Sequence, residues 1–286
     1  MAEGLEDGGA ALAGGDGPTA ARPHYALGDN RVAGDRLVLL AEVFGPTSEA
    51  MLRAHAPDRP RLAVDLGCGP GHTTRLVARV TDARETVGLD ASAAFVTRAA
   101  AEAANLGPMP GTIRFVHHDV TRLPWPVPAA DLVFARYLLT HLPDPVETLG
   151  RWGTQLRPGG RLLVDEVERI DTEIEVFRTY LDVSGAMIAH YGAHLYVGSD
   201  VRDARGVPGL RTVASETATI APSTAVVARI FAMNLATWRH DPYVEHHVDP
   251  AVVDALADGL DELLEARTTG RITWTHRQLV LERAPG

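Results

Sequence analysis

Asp65, Gly67, Gly69, Gly71 and Asp90 are the residues whose types and spacing point most directly to chemistry. The glycines stand at alternate positions in Val64-Asp65-Leu66-Gly67-Cys68-Gly69-Pro70-Gly71, directly after the apolar run Leu62-Ala63-Val64. That order describes a buried strand entering a tight turn where backbone approaches a ligand, because glycine has no Cβ to obstruct it. A helical segment beginning at His72 follows, and Asp90 closes the next apolar run, Val87-Gly88-Leu89. An acid at the tip of a second strand is placed to accept hydrogen bonds from two vicinal ribose hydroxyls. The pattern predicts a nucleoside-bearing cofactor.

Position 72 is His, so the glycine spacing is G-x-G-x-G and departs from the G-x-G-x-x-G of dinucleotide folds. The chain contains no Lys, which excludes a phosphate-cradling G-x-x-x-x-G-K-[ST] loop. Four stretches in order, Asp65 to Gly71, Leu89-Asp90-Ala91-Ser92, His118-Asp119-Val120 and Leu156-Arg157-Pro158-Gly159-Gly160-Arg161-Leu162, resemble the class I S-adenosylmethionine-dependent methyltransferases. The resemblance covers about residues 60–168, a little over a third of the chain. It implies S-adenosylmethionine as cofactor, with Gly67, Gly69 and Gly71 lining its loop and Asp65 organising its amino end. Asp90, with Ala91 beside it, would hold the ribose, Asp119 would accept the adenine amino group and Val120 would flank the ring. Arg136 would meet a carboxylate of the cofactor or the acceptor.

The side chains expected to act on the acceptor are Tyr25, His141, Glu166, Glu168, His190 and His194. His141 follows the fourth strand, at the carboxyl edge where open α/β sheets bind ligands. Glu166 and Glu168 end the fifth strand, and alternation puts both on one face with Asp165 on the other. A carboxylate there takes a proton if burial raises its pKa. His190 and His194 flank Tyr191-Gly192-Ala193. Gly192 argues against a metal-binding helix there, and no H-E-x-x-H occurs, so no metal is assigned. Tyr25 precedes the first helix, where an aromatic face would lie over a sulfonium.

These residues need a scaffold. Strands at Leu62–Leu66, Thr86–Asp90, Ile113–His117, Asp131–Ala135 and Arg161–Glu166 alternate with helices at His72–Val80, Ala93–Ala104 and Pro145–Leu156. The alternation predicts an α/β, Rossmann-like sheet covered on both faces. By resemblance it is seven-stranded, completed at an antiparallel end by Thr212–Pro222 and Arg271–Glu282, with helical cap insertions. Residues 1–22 read as a disordered tail and 23–58 as a helical lid, with helices at Asp35–Phe44 and Ser48–His55. Residues 59–168 read as the cofactor-binding core and 169–286 as the rest of the sheet with its capping helices.

The 286 residues suit one elaborated α/β domain, and 45% hydrophobic with 22% charged is ordinary for a globular protein. A net charge of −10 without a basic run argues against nucleic acid as partner. The lone Cys68 permits no intrachain disulfide, and with no signal or membrane-spanning run the expected location is cytoplasmic. The expected partner is a small molecule in specialised-metabolite biosynthesis; the oligomeric state is open, a homodimer included. The layout suggests C-methylation of an indole-type acceptor, with O- or N-methylation as the alternative. An NAD-dependent oxidoreductase and a non-catalytic cofactor-binding protein are the rivals from other classes.

Overall fold

The computed structural model describes residues 31–105, 107, 109–202, 204, 206–265 and 271–285. The expected tail and Tyr25 lie outside the described residues. The sheet has seven strands in the order β3-β2-β1-β4-β5-β7-β6. They are β1 (Leu62–Leu66), β2 (Glu85–Asp90), β3 (Thr112–His117), β4 (Ala130–Arg136), β5 (Leu156–Thr172), β6 (Leu210–Ile220) and β7 (Ile272–Arg283). The first five pair in parallel, whereas β7 runs antiparallel to both β5 and β6. This is the predicted Rossmann-like methyltransferase sheet with its reversed strand. Chain order reverses between β1 and β4, and it is outside the carboxyl ends of strands at such a point that open α/β sheets form a ligand-binding crevice.

Two expected elements have other bounds. The two helices expected before β1 are one, α1 (Arg31–His55), which runs through Gly45-Pro46. Proline removes one helical hydrogen bond, the one to the Glu42 carbonyl, and Thr47 donates its hydroxyl to the Phe44 carbonyl at 2.9 Å in the same turn. Phe44, Met51 and Leu52, on both sides of the proline, are buried, so packing holds the helix together. Strand β5 continues to Thr172, well past Glu166, because β7 pairs along it to that residue. A register shift between Val167 and Arg169 makes Glu168 the bulged residue.

Helices α2 (His72–Thr81), α3 (Ala93–Ala104) and α4 (Pro145–Gly153) cross over the parallel half. Val64, Val87, Val133 and Val164 lie in one core with Leu149 and Trp152 of α4. On the other side of the sheet Ala63, Leu132, Phe134 and Leu163 meet Met51 and Leu52 of α1 and Val77 of α2. A third core joins α5 (Glu175–His190), α7 (Thr224–Trp238) and α9 (Pro250–Glu265) to Phe44 of α1 and Trp274 of β7. Two short helices, α6 (Val197–Val201) and α8 (Pro242–His247), were not expected from the sequence. The described helices include none long and apolar enough to cross a membrane.

Candidate functional site

Strand β1 delivers Asp65 and the glycine loop to the crevice. Gly67, Gly69 and Gly71 all have positive φ, 62°, 51° and 85°. A β-carbon on Gly71 would stand 2.8 Å from the Phe115 ring, and one on Gly67 would stand 2.9 Å from Leu138. Glycine is therefore demanded twice, by conformation and by space. Leu37 of α1 comes down onto Gly69, 3.2 Å from the place of its absent β-carbon, so α1 lies over the loop.

Asp65 is 1% exposed, and its Oδ2 accepts from the hydroxyls of Thr73 and Thr74 at 2.7 Å each. Its Oδ1 is buried with no hydrogen-bond partner among the described residues. Burial pushes the carboxyl up to about 6, against those two hydroxyls and the charge of Arg136. Cys68 is buried, and burial pushes its thiol well up, which suits a small packing residue.

Asp90 anchors the loop to β2. Its Oδ2 accepts from Gly69 N–H and its Oδ1 from Ser92 N–H, both at 2.8 Å. Ala91 is exposed beside it, its carbonyl 2.9 Å from His117 Nε2. After β3, Asp119 Oδ1 accepts from Thr121 N–H and hydroxyl, and Arg122 lies 3.3 Å from its Oδ2. The Val120 side chain is buried in the sheet core, and its carbonyl accepts from the indoles of Trp125 and Trp152 at 3.1 and 3.2 Å. Those two indoles fix the backbone next to Asp119.

The ends of β4 and β5 meet in a polar cluster. Arg136 Nη1 donates to Ser48 Oγ at 3.3 Å, and Ser48 Oγ donates to Asp165 Oδ2 at 2.8 Å. Asp165 is wholly buried. Burial would raise its pKa, but His276, Ser48 and Arg136 hold it below the usual carboxylate range. Glu166 is equally buried, and its Oε1 accepts from the amides of Leu138 and Leu139 at 2.7 and 2.8 Å. Burial pushes Glu166 up to about 8 in spite of those amides. It is built as the anchor of the segment that follows β4. Glu168 is paired with Arg277 and Arg202.

His141 ends a 3-10 turn, Leu139–His141, and is half-buried. Burial, then the charge of Arg36, pushes its imidazole down to about 4, so the ring is neutral at ordinary pH. Thr140 ties this turn to the loop after α5 by donating to the His194 carbonyl at 2.8 Å. The His194 ring is exposed and 2.6 Å from Asp200. His190 is exposed at the end of α5, among the rings of Tyr191, Tyr243 and His247. The structure thus brings Asp65, the glycine loop, Asp90, Arg136, His141 and Glu166 to one sheet edge, while His190 and His194 sit on the cap.

Tyr137 and His276 join this cluster and were given no role by the sequence reading. Their hydroxyl and Nε2 are 2.7 Å apart. One signal was present: His276 alternates with Ile272 and Trp274, so it falls on an apolar face of the strand, where a polar group must find a partner.

The residues fit the cofactor that the resemblance implies. The unpartnered Asp65 oxygen answers an ammonium, and Asp90 is oriented by backbone at the tip of β2.

Residues 64–164 match the model of a family described as a methyltransferase domain. Trans-aconitate 2-methyltransferase of Methylobacterium radiotolerans is 34% identical over 148 residues, 51% of this chain and 53% of that protein. Its namesake from Streptomyces avermitilis is 36% identical over 117 residues, 40% of this chain and 42% of that protein. The chain thus spans about half, or less, of the length of these relatives. Among solved structures, the [4+2]-cyclase SpnF aligns over 84% of this chain and 82% of its own at 21% identity, with a TM-score of 0.53. Phosphoethanolamine N-methyltransferase 2 of Haemonchus contortus aligns over 88% and 57% at 17% identity, with a TM-score of 0.51. At such identities the likeness is one of fold, and a cyclase and an N-methyltransferase share that fold.

Proposed function

We propose that this chain, whose core belongs to the class I S-adenosylmethionine-dependent methyltransferases, transfers the methyl group of S-adenosylmethionine to a small-molecule acceptor. The single observation that carries the reading is the buried, unpartnered carboxylate oxygen of Asp65 beside three left-handed glycines. A buried acid with an unmet acceptor position is costly unless a ligand supplies the donor.

Bound S-adenosylmethionine supplies an electrophilic methyl group. The protein's own residues bind and orient. Asp65 takes the ammonium, with Arg136 close enough to act on the Asp65 carboxyl and to meet the ligand's carboxylate. Gly67, Gly69 and Gly71 give close backbone approach, Asp90 and Ala91 take the ribose end, and Asp119 and Val120 the adenine end. Helices α1, α5 and α7, which share one apolar core, would cover the acceptor side, keep water out and hold the acceptor in line.

Of the six side chains expected at the acceptor, His141 has the most suitable described surroundings. It is neutral, half-buried and one short turn beyond Arg136 and Tyr137. A neutral imidazole accepts a hydrogen bond from an acceptor N–H or O–H. The finer reading, C-methylation of an indole-type acceptor in specialised metabolism, needs such a partner at the ring N–H. A second reading, O-methylation of a carboxylate, is supported by relatives named trans-aconitate 2-methyltransferases. It needs no proton acceptor.

Calorimetry with S-adenosylmethionine, S-adenosylhomocysteine and NAD tests the cofactor, and binding of NAD alone would defeat the reading. Radiolabelled methyl transfer to a panel of indoles, phenols, amines and carboxylic acids, trans-aconitate among them, tests the activity. Tight cofactor binding with no transfer to any of these would favour a non-catalytic cofactor-binding protein.

A further inference from the structure

The segment that leaves β4 contains a strained aromatic. Tyr137 holds a φ of 55°, which a bulky residue adopts only when its surroundings insist. Three amides insist here. Tyr137 N–H donates to the Asp165 carbonyl at 3.2 Å, and the Leu138 and Leu139 N–H groups donate to Glu166. The segment also abuts the cofactor loop, because Leu138 packs onto Gly67.

This conformation sets the Tyr137 phenol against His276 of β7, Oη to Nε2 at 2.7 Å, with the rings edge to face at 5.3 Å. The other ring nitrogen, Nδ1, lies 3.2 Å from Asp165 Oδ1, an ion-pair distance whose angle falls short of a hydrogen bond. His276 and Asp165 are wholly buried, Ser48 holds the far carboxylate oxygen, and the Phe44 ring covers the imidazole at 5.0 Å. Tyr137 alone of the three keeps part of its surface exposed.

A hydroxyl, an imidazole and a carboxylate in this order make a proton relay. The carboxylate beside Nδ1 places the ring proton there, which leaves Nε2 as acceptor and makes the phenol the donor. The phenolic oxygen then keeps a lone pair for another donor. Burial, then the Asp165 charge, pushes the phenol well above its ordinary value, so it serves as a conduit and not as a standing phenolate. His141, held near 4, orients an acceptor but keeps a proton poorly at neutral pH.

We propose that Tyr137 is a catalytic residue that takes the proton released by the acceptor and passes its own to His276, with Asp165 as the positioning residue. The inference rests on the methyltransferase reading. The acceptor atom forms its bond to the methyl carbon as the carbon–sulfur bond breaks and its electron pair stays on sulfur. The acceptor's proton moves to Tyr137 Oη as the Tyr137 proton moves to His276 Nε2. The positive charge lost at sulfur reappears on the imidazole, next to the Asp165 carboxylate. The proton returns from His276 through Tyr137 to water after the product has left, since Tyr137 is the member of the three with exposed surface.

Two measurements test this. In the cofactor-free protein, nitrogen-15 NMR of labelled histidine is expected to show His276 protonated at Nδ1 and bare at Nε2. The Nε2 signal is expected to move in Tyr137→Phe. A proton found on Nε2 overturns the relay whatever the activity. In single-turnover transfer from tritiated S-adenosylmethionine to the best acceptor of the panel, Tyr137→Phe and His276→Gln are expected to slow the reaction about 100-fold. Their cofactor Kd by calorimetry is expected to stay within about twofold of wild type. Full-rate transfer by a folded, cofactor-binding Tyr137→Phe overturns the proposal, and this variant decides alone if His276→Gln does not fold. A wild-type chain that binds no S-adenosylmethionine sinks the methyltransferase reading instead, a result separable from the NMR outcome.

Discussion

Leu138 occupies the space that a side chain on Gly67 would need, its Cδ1 2.9 Å from the position of the missing β-carbon. The contact joins the cofactor loop after β1 to the segment after β4. Gly67→Ala is expected to lose about 1–2 kcal/mol from the left-handed backbone alone. Displacement of Leu138 should weaken cofactor binding as well. Urea unfolding and calorimetry check the two effects, and unchanged values in both would show that the loop is not pinned as described.

Asp65, as the proposed partner of the cofactor's ammonium, is expected to make cofactor affinity depend on pH. Its carboxyl must be ionised to meet an ammonium, and burial has raised it to about 6 in the free protein. Affinity is therefore expected to fall as pH drops through about 6, with proton release on binding near that pH. Asp65→Asn should lower affinity about 10- to 100-fold, the worth of a hydrogen bond to a charged group, and flatten the profile. Calorimetry in buffers of different ionisation enthalpy measures the released proton; its absence near that pH counts against the assignment.

Asp90 is expected to matter twice, because it holds Gly69 and Ser92 and is the residue proposed to meet the ribose. Asp90→Ala should weaken binding of S-adenosylhomocysteine about 100-fold, since backbone donors lose their partner along with the ligand. Wild-type affinity in this variant would remove the ribose assignment.

Glu166 gives the fold its own pH dependence. Its carboxyl is raised from 4.5 to about 8 in the folded chain, so folding favours the protonated form. That contribution is complete below pH 4.5 and is lost as pH rises through about 8. Glu166→Gln keeps an oxygen for the two amides and cannot ionise, so its stability should change less across this range. Urea midpoints at about pH 5 and about pH 8 for both proteins decide the point.

The glycine turn and the placing of Asp90 at a strand tip were legible because their signals are local. Glycines two apart, an acid at the strand tip and an apolar run before each are read within a few positions. Pro46 misled because a proline normally ends a helix, yet burial on both sides of it carries α1 through. Glu166 was read as a possible base from its place at the end of a strand. Its role in holding Leu138 and Leu139 depends on a neighbouring strand whose register no single segment encodes. Tyr137 and His276 are 139 positions apart, and only the insertion of β7 beside β5 brings them together. Tyr25 lies outside the described residues, so its role over the cofactor stands as proposed.

The reversed strand also dictates an order of assembly. The glycine turn and Asp90 come from one contiguous stretch and can form early, whereas Gln278 reaches Thr47 across 231 positions. Closing so long a loop is slow compared with forming neighbouring turns. A chain caught before that last strand slots in would already carry the glycine turn and Asp90 yet lack His276, and with it the proposed resting place of the proton.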